Sequence, residues 1–207
     1  MQRAASIAVL VAASLLVLAS PAPADKKKPS IIDVAVARAF PDAKVERICV
    51  RLSESERKKV GKLASQRAPK KSTTFAYVAR KGGKVVGTAF FDSHVVRTKR
   101  ETLMVVVTPE GKVSGVETIV FQEPPEYVAQ DSFYESLEGR GQGRPLILGR
   151  GLDGTTGATL TCRAVADASR RVLALHEVGG ERVGRTSSPP KEIRPGSSER
   201  AEQGPQD

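Results

Sequence analysis

The sequence predicts an α+β fold: an antiparallel sheet of two consecutive hairpins, packed with a C-terminal amphipathic helix and preceded by a short N-terminal helical extension. Three observations predict it. Residues 74–80 and 85–91 are rich in β-branched and aromatic side chains and flank Lys81-Gly82-Gly83-Lys84, a hairpin signal. Residues 102–108 and 113–121 repeat the arrangement around Pro109-Glu110-Gly111-Lys112. Within 161–176, Val165, Ala168, Val172 and Leu175 are spaced by 3, 4 and 3, one face of a helix that Gly179-Gly180 stops.

The remaining elements follow in order. Residues 31–40 are largely apolar and end at Pro41, which reads as a short helix. Residues 45–52 set Val45, Ile48, Val50 and Leu52 among charged neighbours, the pattern of a strand. Ser53 and Glu56 form a capping box, so a surface helix is expected over 54–65. Pro69-Lys70-Lys71 is a turn or linker, and 123–127 break the β pattern. Residues 131–137 suit one or two helical turns, and the five glycines of 139–151 an irregular loop. The expected organisation is a signal at 1–24, an N-terminal α/β extension at 25–70, a main domain at 71–180 and a disordered tail at 181–207.

Composition narrows the function classes. The chain has 207 residues, of which 40% are hydrophobic and 27% charged, so a packed core is expected rather than wholesale disorder. An apolar stretch over residues 4–19 follows Arg3 and ends in Ala22-x-Ala24, the parts of a cleavable secretory signal; an uncleaved anchor is the alternative. The reading places the mature chain outside the cytoplasm, in the periplasm or otherwise exported. The formal net charge is +10, but the basic residues are scattered and no aromatic residues interleave with them as a stacking platform needs. A solvated basic surface is therefore expected, with no nucleic-acid partner and with peripheral membrane contact left open.

One segment carries chemistry: Asp153-Gly154-Thr155-Thr156-Gly157-Ala158-Thr159-Leu160-Thr161. Small residues here let a ligand approach the backbone, and the first turn of the following helix offers free N–H groups and the positive end of its dipole. A phosphate is the natural guest. An ordinary helix start, with Thr159 or Thr161 as the cap, is the competing reading.

Asp153-Gly154-Thr155-Thr156-Gly157-Ala158-Thr159 resembles the flavinylation motif D-x-x-(S/T)-G-A-T of the FMN-binding domain. That domain occurs in the extracytoplasmic flavin subunits of sodium-pumping NADH:quinone oxidoreductases and Rnf-type complexes. Five constrained positions make a chance match on the order of one in a thousand. The hairpin segments 83–87 and 111–117 upstream, and the helix downstream, suit the same family, so the resemblance spans roughly residues 71 to 178. It implies FMN as cofactor, moved from FAD by a separate Mg²⁺-dependent flavin transferase onto the last threonine of the motif. Here that is Thr159, which would be joined to FMN by a phosphoester bond. By the same resemblance Asp153 would serve transferase recognition or loop geometry. Gly157 and Ala158 would permit close approach, and Thr156 would bond the phosphate or cap the helix. Leu160, Thr161 and Glu123 complete the expected cofactor-binding set; Leu160 would cover one ring face or pack in the core, and Glu123 would lie near the flavin. Glu123-Pro124-Pro125-Glu126-Tyr127 departs from the H-x-E-T form found in the oxidoreductase complexes.

The function so implied is an electron-transfer flavoprotein between a membrane electron donor and an acceptor, neither of which the residues identify. A non-redox binding or assembly module and an FMN-dependent reductase are the alternatives. There is no G-x-G-x-x-G dinucleotide fingerprint, no C-x-x-C and no H-x-x-x-H, so neither direct NADH oxidation nor a metal site is expected. His94 is either a proton donor near the flavin or a packing histidine, and Arg97 either an anion partner or an exposed cation. Cys49 and Cys162 either pair or stay free.

Overall fold

A computed structural model describes residues 28–142 and 146–185. The expected signal segment, and residues 186–207 of the expected tail, lie outside the described residues. In chain order the elements are α1 (Ile31–Ala39), β1 (Lys44–Arg51), α2 (Glu54–Ala64), β2 (Thr73–Lys81), β3 (Lys84–Val95), β4 (Arg100–Val107), β5 (Val113–Phe121), α3 (Asp131–Glu135), β6 (Ile147–Leu148), β7 (Gly151–Leu152) and α4 (Thr159–Gly179). Short 3-10 turns cover Pro125–Tyr127 and Gly180–Val183.

The expected α+β class holds, and the sheet has five strands rather than four. Its order is β1-β2-β3-β4-β5, antiparallel throughout. Residues 45–52 have the alternation of a strand, but nothing local names their partner. The partner is set by burial: Val50 and Leu52 sink into the main core beneath α2, which brings β1 alongside β2. The β2–β3 turn is a two-residue hairpin in which Gly82 and Gly83 both have positive φ (57° and 79°), the geometry that makes this pair of glycines a turn signal.

Each face of the sheet has its own cover. On one face α2 and α4 pack on the strands and on each other, around Val60, Val78, Phe90, Leu103, Val105, Val165 and Val172. On the other, α1 lays Ala35, Val36 and Phe40 over Ala79, Ala89 and Met104. β4 is buried on both sides, Leu103 and Val105 towards α4 and Met104 towards α1. Fully burying such a side chain stabilises by roughly 1.5 to 3 kcal/mol, so this strand is the thermodynamic centre of the sheet. Both N-terminal helices open on capping boxes, Ser30 with Asp33 and Ser53 with Glu56. The loop expected over 139–151 contains the short parallel pair β6–β7. At the start of the expected tail, Val183 is buried and Thr88 Oγ1 donates to its carbonyl at 2.7 Å, so the first tail residues belong to the core. Among the described residues no helix is long and apolar enough to cross a membrane.

A chain of buried charge ties α4 to the sheet. Arg171 Nη2 and Nε donate to the two oxygens of Asp92, at 2.7 and 2.9 Å. Asp92 Oδ1 meets His94 Nδ1 at 2.8 Å, and His94 Nε2 meets Glu101 Oε2 at 2.9 Å. Burial works against charge at both sites, but the bonds prevail: the Asp92 carboxyl falls to about 2 and His94 rises to about 9. His94 is therefore a packing residue between two carboxylates. The second histidine has the opposite environment. His176 lies wholly buried on α4 with its ring edge-on to Phe90, and burial reinforced by Arg185 brings it down to about 4 against the pull of Glu110.

These shifts predict a stability profile with two limbs. The stabilisation from His94 is complete below its ordinary value of 6.5 and is lost as the pH rises through about 9. The depressed pKa of His176 acts the other way: below 6.5 the unfolded chain takes up the proton first, and stability falls until about pH 4. Each limb is on the order of 3 kcal/mol. Denaturant midpoints measured from pH 4 to 10 should lose the alkaline limb in His94→Gln and the acidic limb in His176→Leu. Unchanged profiles in both variants would contradict the assignment.

Candidate functional site

The motif forms a tight turn that leads directly into α4. Ala158 N donates to Thr155 O at 3.0 Å, closing a four-residue turn in which Gly157 has φ +84°. No atom lies within 4 Å of where a Cβ at Gly157 would stand, so the requirement there is one of backbone conformation and not of space. Helix α4 begins at Thr159, two residues earlier than the periodicity indicated, and Ala158 occupies the N-cap. Alanine offers no acceptor, and no side chain caps this terminus. The first-turn N–H groups therefore face an exposed surface with the dipole's positive end behind them.

A cleft of about 130 Å³ opens at this terminus, lined by residues 157–161 together with Arg97 and Tyr127. The guanidinium of Arg97 stacks on the Tyr127 ring, with Cζ 4.2 Å from the centroid. Both flanks are fixed from below. Thr161 Oγ1 donates to Tyr127 O at 2.5 Å, tying the 3-10 turn to the first turn of α4. Glu123 Oε1 accepts the N–H groups of Arg97, Thr98 and Lys99 at 3.1, 2.7 and 2.7 Å. Those three bonds hold the β3–β4 connection in the shape that aims Arg97 at the cleft. They also lower the Glu123 carboxyl below the usual range, the Lys99 and Thr98 bonds most of all.

The expected site residues divide by position. Gly157, Ala158, Thr159, Leu160 and Thr161 line the cleft together, with Thr159 exposed. Leu160 is 45% exposed, so it stands at the rim and not in the core. Thr156 and Asp153 are exposed on the approach to the turn. Glu123 lies beneath the β3–β4 connection, where its carboxylate oxygen is occupied by backbone N–H groups. Neither Thr159 nor Thr161 caps α4. Thr155, the second of the motif's two variable positions, is buried: its Oγ1 accepts from Gln130 N at 3.0 Å and its own N–H meets Cys162 Sγ at 3.2 Å. Cys49 and Cys162 are both free, the first exposed on β1 and the second buried in α4. Tyr127 is the lining residue that sequence reasoning missed. Its only signal was an aromatic directly after Pro124-Pro125-Glu126, in a stretch read as a break.

The donor set suits a phosphate monoester or diester. Uncapped helical N–H groups, one guanidinium and a ring of small residues give positive potential without bulk. A cleft of this volume takes a phosphate and the carbons next to it, and is smaller than the few hundred Å³ of a typical whole-cofactor pocket. Among the described residues no cluster of His, Cys, Asp and Glu could hold a metal.

The carboxylate beneath the turn yields a test. Exchange of the amide protons of Arg97, Thr98 and Lys99 should be slow in the native protein and fast in Glu123→Ala. Because the folded pKa is depressed, the protection should be complete above the ordinary glutamate value of about 4.3 and fade as the pH falls through the lower folded value. Equal exchange in the two proteins would remove Glu123 from this role.

Comparison with known proteins gives three results. Residues 99–174 match the family model described as FMN-binding domain, a span from the β3–β4 connection into the last turns of α4. No curated protein matches the chain. Among solved structures, the crystal structure of Shewanella oneidensis NqrC is similar at 16% identity, covering 73% of this chain and 85% of that one, with a TM-score of 0.48. The matched span contains the motif, the turn, the start of α4 and Arg100 to Phe121 of the sheet. Residues 99–174 are thus similar to an FMN-binding domain, and the cofactor this domain indicates is FMN.

Proposed function

We propose that Thr159 carries FMN through a phosphoester bond to its Oγ, and that the chain is an extracytoplasmic electron-transfer flavoprotein. The observation that carries the reading is the placement of Thr159. Its hydroxyl is exposed at the first position of a helix whose N-terminus no side chain caps, beside Arg97 in the cleft. Threonine at a helix start is ordinarily the cap itself; here the cap is Ala158, and Thr159 is left for another use.

The residues divide the task. A threonine hydroxyl is a weak nucleophile, so a Mg²⁺-dependent transferase must activate it. Thr159 Oγ attacks the FMN phosphorus of FAD, the new Oγ–P bond replaces the pyrophosphate P–O bond, AMP leaves, and the hydroxyl proton passes to the transferase. Exposure of Asp153, Thr156 and Thr159 gives that enzyme access. After attachment the first-turn N–H groups and Arg97 stabilise the phosphodiester charge. Leu160, exposed at the rim, offers apolar surface to a ring extending past the cleft. Bound FMN supplies the electron-carrying chemistry that amino-acid side chains lack.

The location rests on the sequence: the apolar stretch over residues 4–19 and the Ala22-x-Ala24 ending support export. Covalent attachment suits an exported protein, which could not readily replace a lost flavin. The membrane donor and the acceptor are partners of unassigned identity.

The test is intact mass. Protein made in an exporting host with an active flavin transferase should gain one FMN less one water. Thr159→Ala should gain nothing, and Thr159→Ser, which keeps the hydroxyl, should still be modified. An unmodified native protein, with the transferase shown active on a control substrate, would overturn the reading. So would a modified alanine variant.

A further inference from the structure

The sheet face that α1 covers is covered over only part of its length. Beyond α1 the outward positions of the strands carry Phe75 and Val95, 41% and 57% exposed, and the half-buried Phe91. Side-chain contacts fix the composition of this surface. Arg47 Cζ lies 3.8 Å above the centroid of Phe75, and Arg100 Nη1 donates to Ser93 Oγ at 3.1 Å. Arg51 is exposed on β1 and shares the outward phase of Arg47. Three arginines thus stand among exposed aromatic and aliphatic side chains. Among the described residues, no carboxylate occupies an outward strand position of this open half. The acidic side chains on this side of the sheet lie at the α1 end: Asp33 in its helix cap and Asp42 in the turn that follows, which share a cleft with Arg47, and Glu117 paired with Arg38.

The geometry points to a peripheral docking surface for an anionic lipid bilayer, formed by Arg47, Arg51, Arg100, Phe75 and Val95. Cations set among exposed apolar groups are what the headgroup boundary of a bilayer selects. The sequence before α1 agrees in charge: residues 26–28 are three lysines, and α1 itself turns Ile31 and Val34 outward, 60% and 49% exposed. The inference is independent of the flavin, since binding of this surface to lipid needs no cofactor.

Vesicle co-sedimentation of the full exported protein tests it, with vesicles of phosphatidylglycerol and phosphatidylcholine in a 3:7 ratio and vesicles of phosphatidylcholine alone. The native protein should bind the anionic vesicles at 50 mM salt, release them at 500 mM, and ignore the neutral ones. The triple variant Arg47→Gln, Arg51→Gln, Arg100→Gln should lose on the order of a hundredfold in partitioning, from three basic residues near the surface. An equal loss of charge elsewhere, Lys58→Gln, Lys59→Gln, Lys62→Gln on α2, should leave binding within a few fold. Three outcomes would overturn the proposal. Equal losses in the two triple variants would mean attraction by net charge alone. Binding to neutral vesicles that salt does not release would mean that the N-terminal stretch stays uncleaved and inserts. Absence of native binding at 50 mM salt would leave an acidic protein as the occupant of this face. The salt series on native protein decides even if the arginine variant folds poorly.

Discussion

Helix α4 has an alanine as its N-cap, and its first backbone N–H groups receive no side-chain acceptor. Such an end is unfavourable on its own, because orphan donors and a positive dipole terminus are normally compensated within the same turn. The surroundings hold it in place nonetheless. Thr161 anchors it to the 3-10 turn through Tyr127 O, Thr155 is bonded on one side to Gln130 and on the other to Cys162, and Glu123 fixes the neighbouring connection by three backbone bonds. Side chains that could have capped the helix thus fix the loops beside it, and its N–H groups stay open to an anion. An anion there gains from a terminus that needs no rearrangement to receive it.

A helix aimed at a ligand must also be fixed along its length. Arg171, a little over three turns below the site, grips Asp92 and through it His94 and Glu101, so α4 is attached to both β3 and β4 by charge as well as by apolar packing. Removing one partner of such a chain would strand a buried charge, which is costlier than the bonds are stabilising. His176, further down the same helix, must stay neutral among Phe90, Arg185 and Glu110. The helix therefore joins one histidine that must be charged to one that must not be.

Local signals carried much of this fold. The glycine pair at 82–83, the Ser53–Glu56 capping box and the 3-4-3 spacing in α4 are each decided by neighbours in sequence, and each is present. What was not legible depended on distant partners. Residues 45–52 looked like a strand, but only the burial of Val50 and Leu52 under α2 shows that they complete the sheet. The start of α4 was missed by two residues because Ala158 is no recognisable cap. The motif's own residues from 157 to 161 do share one cleft, since they are adjacent in the chain. Arg97, open in the sequence as an anion partner or an exposed cation, and Tyr127, unrecognised there, reach it through two separate loops. Glu123 was legible as a residue near the site; its use of one oxygen to hold three backbone N–H groups was not.

Thr155, Thr156, Thr159 and Thr161 all lie within seven residues, and the account turns on which of them is modified. Trypsin cuts after Arg150 and Arg163, so the four hydroxyls fall in the single peptide spanning residues 151–163. Fragmentation of that peptide from flavin-loaded protein is the most direct measurement. The account predicts that the FMN phosphate resides on Thr159 alone, at the open start of α4. Flavin on Thr155, Thr156 or Thr161, or a fully loaded protein whose peptide is unmodified, would contradict it.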